Sequence, residues 1–368
     1  MDYFWLLLFP MHLDQKVSLK PFHTFGMEVQ ARYFVEPHTR EEILTLLNYR
    51  SMIRMPFLIL GCGSNILFTK NFNGLVIRIN SKGIEYKEQD DGTVKVTAEA
   101  GENWDEFVQY CVAQGWAGLE NLSLIPGTVG AAPVQDIGAY GVEVKDLVES
   151  VHFVEIDTGI ERRFNREQCC FGYRDSIFKN SLKGKVIILD VTFHLHKALP
   201  GGISGTYSLK LDYGQIREEL RLKNIGHPGM AEVREAVCSI RRRKLPDPVE
   251  IGNAGSFFKN PLVQNERKDH LLELYPMMPW YPEQKDKQQP GEDTENKGRV
   301  KVPAAWLIEQ CGWKGYRDGD AGVHPHQSLV LVNYGNATGM QILDLMNRII
   351  SSVYSRFGIT LEPEVNIL

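Results

Sequence analysis

Residues 57–68 read Phe57-Leu58-Ile59-Leu60-Gly61-Cys62-Gly63-Ser64-Asn65-Ile66-Leu67-Phe68, an apolar run suited to a buried strand followed by a glycine–cysteine–glycine step. Glycines after a strand let the backbone approach a pyrophosphate and aim N–H groups at it, so a dinucleotide-binding reading presents itself. The Rossmann fingerprint fails, however. Position 66 is isoleucine where the third glycine belongs, and Ile66-Leu67-Phe68 reads as a strand where a helix should start. A lone Gly-x-Gly leaves phosphate contact open without establishing it.

The chain around this stretch has 368 residues, 43% hydrophobic and 24% charged, the balance of an ordinary protein with room for two or three cored domains. A net charge of -5 and a pI near 6.1 argue against a nucleic-acid surface, so any anionic partner is expected to be small. The six cysteines form no C-x-x-C pair, which fits free thiols in a reducing, cytoplasmic compartment and no metal site. The apolar opening Met1–Pro10 lacks a basic flank and a cleavage site, so it is not read as a signal peptide, and Met11 is an alternative start. No later run has the length of a membrane span. No internal repeat is apparent.

Strands and short helices alternate in the first half. Arg32–Glu36 reads as a strand; Thr39 and Glu42 form a capping box for a helix ending near Tyr49; Asn103 and Glu106 open a second helix that closes at Gly115. Strands are expected at Leu147–Val154 and Val186–His196, the latter carrying His194 and His196 on one face as a structural pair. In the second half, helices are expected over Ala231–Lys244, Ala304–Cys311 and Thr338–Phe357, the last two stopped by Gly312 and Gly358. Between them, Glu283–Arg299 is charged, has no core anchor and reads as a mobile loop.

Four further segments carry chemistry. Ile125–Pro133 and Asp136–Gly141 pack four glycines and three alanines together, either a path for a ligand along bare backbone or a tight packing site. In Phe171-Gly172-Tyr173-Arg174-Asp175-Ser176 a guanidinium held by Asp175 would be set to clamp a carboxylate or phosphate; the plainer reading is a surface ion pair. Gly252–Pro261 (GNAGSFFKNP) sets Ser256 between a glycine and two phenylalanines, where a serine commonly bonds its own backbone. The closing Leu361–Leu368 reads as a strand with Glu362 and Glu364 on one face.

Taken in order, LILGCGSNILF, SLIPGTVGAAPVQDIGAYG, FGYRDSIFK, GNAGSFFKNP, AAWLIEQCGWKG and LEPEV closely resemble the UDP-N-acetylenolpyruvoylglucosamine reductase family, flavin enzymes of bacterial peptidoglycan precursor synthesis, over about Val17 to Leu368. The resemblance implies an α+β chain: a two-lobed FAD-binding fold of the p-cresol methylhydroxylase and vanillyl-alcohol oxidase type, then an α+β substrate domain. It places the first lobe at 11–80, the second at 81–245 with a tyrosine loop at 200–226 that marks the longer subtype, the substrate domain at 246–357, and a C-terminal strand at 358–368 returning to the active site. The failed Rossmann fingerprint is what that fold leads one to expect.

By the same resemblance, FAD is bound non-covalently by Gly61, Gly63, Ser64, Asn65, Gly127, Thr128, Gly130, Gly138 and Gly141, with NADPH as co-substrate. The reaction implied is reduction of UDP-N-acetylglucosamine enolpyruvate to UDP-N-acetylmuramate, hydride passing from reduced flavin N5 to C3 and a proton to C2. Ser256 is then the proton donor, while Arg174 and a protonated Glu364 flank the substrate carboxylate. Tyr213, Lys244, Asn260 and Gln327 are implied substrate contacts; Lys244, like Arg241–Arg243, also suits a helix C-terminus. A cytoplasmic protein is expected, as a monomer with no nucleic-acid or membrane partner. The rival readings are a flavin oxidase of the same superfamily and a non-catalytic nucleotide binder, and in neither would Ser256, Arg174 and Glu364 have work to do.

Overall fold

The structure, a computed structural model, describes residues 12–49, 55–199, 202–203, 207–283 and 298–368. The alternative starts, part of the tyrosine loop and residues 284–297 of the charged loop lie outside the described residues. The described residues fall into two compact units. The first comprises the described residues within 12–18, 30–63 and 71–243, and the second those within 19–29, 64–70 and 244–368. Within the 11–80 span expected for a first lobe, 19–29 and 64–70 fall in the second unit. The reason is visible in the side chains, because Phe25, Met27 and Leu67 are buried in the second unit's core and not the first's.

In the first unit, strands Asp14–Ser18, Gln30–Val35, Phe72–Arg78 and Phe57–Leu60 lie in that order, with parallel pairing among the last three. The crossover helix α1, Arg40–Asn48, starts at Thr39, whose hydroxyl accepts the Glu42 N–H. The expected box closes differently from the usual pattern: the Glu42 carboxylate takes the His38 N–H. A second, antiparallel sheet has the order 161–165, 148–155, 186–199, 93–99, 84–88. Its central strand Val186–Leu199 is apolar nearly throughout its first half, as a strand covered on both faces must be. Helix α2, Trp104–Ala113, buries Trp104 and Phe107 against Phe193 of that strand, and Asn103 caps it by accepting the Asp105 and Glu106 N–H groups. Helices α3, Ile216–Leu222, and α4, Met230–Lys244, share a small core of Ile216, Leu220, Val233, Ala236, Val237 and Ile240.

In the second unit, strands 252–253, 331–333, 321–323 and 317–318 form an antiparallel sheet, and 262–264, 299–301 and 281–282 form another. The expected Glu283–Arg299 loop springs from that second sheet, and its two end residues pair through two guanidinium N–H groups, at 3.1 and 2.9 Å. Helices α5, Asn265–Leu274, α6, Ala304–Gln310, and α7, Gly339–Phe357, complete the unit. α7 has the bounds its sequence predicts, closing at Gly358 in the left-handed conformation at φ 61°, and the structure adds a Thr338–Gln341 capping box at its start. The C-terminal strand is shorter than expected. Only Asn366–Ile367 pairs, in parallel with Ile66–Leu67, while Pro363 bridges to Phe258. No helix among the described residues is long and apolar enough to cross a membrane.

Candidate active site

The glycine–cysteine–glycine step follows its strand as the sequence predicts. The Gly61, Cys62 and Gly63 amides donate no hydrogen bond among the described residues, although Gly63 is buried, with φ 61°. Successive unspent N–H groups around a left-handed residue form a concave nest for an anion. A Cβ on Gly61 would lie 2.7 Å from Thr128 Oγ1, so the bare backbone at 61 is what lets these two expected FAD contacts approach. Donors unspent in a half-buried loop fit a pyrophosphate, and FAD suits the residues present. The Cys62 thiol donates to the Gly127 carbonyl at 3.4 Å, and burial pushes its pKa up, so it is held as a neutral thiol. All six cysteines are free.

The second glycine run divides between the two roles the sequence leaves open. Gly130 is a packing glycine: its N–H bonds the Ala100 carbonyl at 2.9 Å, and an added Cβ would lie 2.5 Å from Ala100 Cβ. Gly138 makes room for Arg174, whose Nη1 would be 2.8 Å from a Cβ there. Gly141, at φ 79°, faces Tyr213.

Arg174 is not held by Asp175, contrary to the sequence reading. Asp175 pairs instead with Asn180 and bridges back to Gly172. The guanidinium turns inward: Nη1 donates to the Asp136 carbonyl at 2.8 Å, Nη2 to the Gly138 carbonyl at 2.7 Å, and Nη1 lies 3.5 Å from Glu143. Its backbone is left-handed at φ 56°, and the side chain is only 17% exposed. Beneath it lies a charged group the sequence reading missed. Asp136 is fully buried, takes the Lys145 N–H at 3.0 Å, and has Lys145 Nζ at 3.6 Å; Lys145 also reaches Glu143 at 2.9 Å. Burial above all, with the nearby Glu143 carboxylate, raises the Asp136 carboxyl to about 7. A polar residue inside an otherwise small, apolar run was the available signal.

In the second unit, Ser256 follows Gly255, which is left-handed at φ 67°, and precedes Phe257 and Phe258, both buried. Its hydroxyl is exposed and makes no hydrogen bond among the described residues, so the self-bonded serine of the plain reading does not occur. Buried phenylalanines on one side and a glycine turn on the other fix its backbone. The Phe257 carbonyl accepts the Glu364 N–H at 2.8 Å, and Asn65 Nδ2 donates to the Glu364 carbonyl at 3.3 Å. The structure thus brings Ser256, Glu364 and the Ser64–Asn65 step into one neighbourhood. Gln327 belongs to it as well: the Phe257 N–H donates to Leu329, whose own N–H meets Gln327 Oε1 at 3.4 Å. Glu362 points elsewhere, exposed and 3.7 Å from Lys259.

The remaining expected contacts have mixed surroundings. Asn260 spends its Oδ1 on the Ala304 N–H, capping α6. Lys244 is exposed at the end of α4. Its neighbours are not loose complements of that helix end: Arg243 pairs with buried Glu219 at 2.8 Å, and Arg241 donates to the Leu124 carbonyl at 3.2 Å. Tyr213 is 59% exposed. His194 and His196 stack on one face, and His196 stacks in turn on Tyr207 at 4.8 Å, a packing use. Among the described residues no group of three or more His, Cys, Asp or Glu side chains could hold a metal ion.

An anion nest after a parallel strand fits a flavin-binding oxidoreductase, and the family model for the FAD binding domain matches residues 31–165. The model for the C-terminal domain of UDP-N-acetylenolpyruvoylglucosamine reductase matches residues 247–368. The chain is 46% identical over 357 residues to the UDP-N-acetylenolpyruvoylglucosamine reductase of Pseudomonas syringae pv. syringae, covering 97% of this chain and 99% of that one. It is 45% identical to the enzyme of the same name from Amoebophilus asiaticus, over 97% and 100%. The crystal structure of the Thermus caldophilus enzyme superposes with a TM-score of 0.63 at 23% identity, over 97% and 99% of the two chains, and so shares the fold. The chain belongs to the UDP-N-acetylenolpyruvoylglucosamine reductase family.

Proposed function

We propose that this enzyme uses FAD and NADPH to reduce UDP-N-acetylglucosamine enolpyruvate to UDP-N-acetylmuramate, with Ser256, Arg174 and Glu364 as its catalytic residues. Gly61, Gly63, Ser64, Asn65, Gly127, Thr128, Gly138 and Gly141 hold the cofactor, and Gly130 supports them through packing. FAD, when bound and reduced by NADPH, supplies the hydride. Ser256 gives its hydroxyl proton to C2 of the enolpyruvyl group. A serine can serve as general acid without a histidine when the acceptor carbon carries developing carbanion character and water resupplies the proton. Arg174 neutralises the charge that grows on the carboxylate, and Glu364, protonated, donates a hydrogen bond to it. Tyr213, Lys244, Asn260 and Gln327 orient the UDP-sugar, and the tyrosine loop makes this the longer subtype. The protein works as a cytoplasmic monomer.

The observation that carries this reading is the Ser256 hydroxyl, exposed and unspent on a rigid turn whose next residue pairs with Glu364. Its support from Arg174 is the half-buried, carbonyl-anchored guanidinium. The deciding assay is NADPH oxidation dependent on the UDP-enolpyruvyl sugar. Oxygen consumption without NADPH would make the protein an oxidase instead, and absence of both turnovers with flavin bound would make it a binder.

A further inference from the structure

A second cation, Lys145, shares a carboxylate with Arg174. The short hairpin of Gly138–Ala139 and Val142–Glu143 sets Glu143 directly across from Gly138. The side chains of Glu143 and Arg174 meet over that glycine, where a Cβ would lie 2.9 Å from Glu143 Cγ and 2.8 Å from Arg174 Nη1. The Glu143 carboxylate is divided between the two cations: one oxygen faces Arg174 Nη1 at 3.5 Å, and the other faces Lys145 Nζ at 2.9 Å. The shorter distance is that of a full charge-assisted hydrogen bond, and the longer one exceeds it. Lys145 has little room to leave. Its side chain is 13% exposed, its backbone N–H is taken by Asp136 Oδ1 at 3.0 Å, and its ammonium lies 3.6 Å from Asp136 Oδ2. That second oxygen has no hydrogen bond among the described residues, so the ammonium is the cation set beside it.

We propose that Lys145 and Glu143 are positioning residues that set how much charge Arg174 presents to the substrate carboxylate: Lys145 holds Glu143 to itself and so keeps it from closing on the guanidinium. The inference rests on the reading of Arg174 as the contact of the substrate carboxylate. With Lys145 in place, the ammonium balances most of the Glu143 charge and leaves the guanidinium less neutralised. Without it, a shift of about 0.6 Å would bring Glu143 within full hydrogen-bond distance of Nη1, and an anion already seated there would compete with the substrate's own. In a half-buried site such competition between charges counts for several times more than at a free surface. Lys145 and Glu143 act in this scheme only through Arg174.

The test uses flavin-loaded Lys145→Met, Glu143→Gln and the double variant, with Arg174→Ala as reference. Lys145→Met is expected to raise KM for the UDP-enolpyruvyl sugar about tenfold, the effect of weakening one hydrogen bond to a charged group, and to slow reoxidation of the flavin by that substrate. Flavin content and the rate of flavin reduction by NADPH are expected to stay at the parent values. Glu143→Gln removes the competing charge, so the double variant is expected to return to within about threefold of the parent KM, a coupling that the double-mutant cycle reads directly. Lys145→Arg, which keeps the charge, should stay near the parent. A lysine that served only to tie the hairpin would leave the double variant no better than Lys145→Met, and that result would overturn the proposal. So would an unchanged KM in Lys145→Met, or equal losses in both half-reactions. If Arg174→Ala itself leaves KM and reoxidation unaltered, the substrate role of Arg174 fails and the proposal falls with it; if Arg174→Ala slows reoxidation and Lys145→Met does not, the proposal alone fails. Should Lys145→Met fail to retain flavin, Lys145→Gln takes its place and the same comparison with Glu143→Gln decides.

Discussion

Replacing Asp136 by asparagine tests the electrostatics under Arg174 in a way that activity assays cannot. The Asp136 carboxyl is fully buried, and burial together with Glu143 raises it from its ordinary 3.8 to about 7, against the downward pull of the Lys145 N–H and the Lys145 and Arg174 charges. Below pH 3.8 the folded and unfolded chains both hold this proton, and the group contributes nothing to pH dependence. Between 3.8 and about 7 the unfolded chain has released it while the folded chain keeps it, so stability falls as pH rises. Above about 7 both states are ionised and the loss stays constant. At about 1.4 kcal/mol per pH unit, the full loss is on the order of 4 kcal/mol, and small movements of Lys145 toward the carboxylate will reduce it.

The asparagine side chain of this Asp136→Asn variant keeps an Oδ1 to take the Lys145 N–H and is nearly isosteric with the protonated acid. Any cost of its unbonded amide N–H is independent of pH. The measured quantity is therefore the change in the stability difference, variant minus parent, between pH 4 and pH 7.5, from urea or thermal unfolding of the flavin-loaded proteins. The variant is expected to gain about 2 to 4 kcal/mol relative to the parent over that interval, with a flat difference above pH 8. A difference that does not change between pH 4 and 7.5 would show that Asp136 titrates as an ordinary exposed acid and would refute the picture of a buried carboxyl whose charge is incompletely balanced.

Ser256→Ala should keep bound flavin and NADPH-driven flavin reduction while turnover drops about 10² to 10⁴-fold, the usual worth of a general acid; full turnover would remove Ser256 from the chemistry. Arg174→Ala should damage reoxidation of the flavin by the enolpyruvyl substrate more than its reduction by NADPH, a split that stopped-flow absorbance reads directly, whereas equal damage points to folding. Gly130→Ala forces a methyl against Ala100 and should cost about 1 to 3 kcal/mol of stability in the flavin-free protein; weaker flavin binding at unchanged stability would return Gly130 to the cofactor. Cys62, a neutral thiol bonded to Gly127, should be alkylated more slowly at pH 7.5 than exposed Cys170, and mass spectrometry of briefly treated protein would show the reverse order if it were a thiolate.

Much of this architecture is readable in the sequence because it rests on local rules. Thr338 and Gly358 bracket α7, Asn103 caps α2, and Ile66-Leu67 turns out to be the strand that disqualifies a Rossmann reading. Where the sequence misleads, a nonlocal partner has intervened. Asp175 is the neighbour of Arg174 in the chain, yet the guanidinium goes to carbonyls at 136 and 138, because a left-handed backbone at 174 turns the side chain inward. Residues 19–29 look like part of the first lobe, yet Phe25 is buried in the second unit's core and its carbonyl takes the Asn333 amide. Glu143 and Lys145 gave no periodic or motif signal, since a half-buried ion pair cannot be told from exposed charges until the chain is folded around it.

The strained backbone follows the same geography as the missed residues. Of the non-glycine residues with positive φ, Leu124, Asp136, Tyr140 and Arg174 all lie in the two segments that the family resemblance assigns to cofactor and substrate. Each such residue costs on the order of 1 kcal/mol or more, which surrounding packing has to offset. What the strain accomplishes here is specific. The Leu124, Asp136 and Tyr140 carbonyls are turned toward Arg241, Arg174 and Asn121 respectively, so backbone acceptors, whose charge does not change with pH, hold the site's polar side chains. The Arg174 guanidinium is thus fixed by two backbone carbonyls, with the Glu143 carboxylate at 3.5 Å, so its place is set by the strained segment it packs on and not by its chain neighbour Asp175.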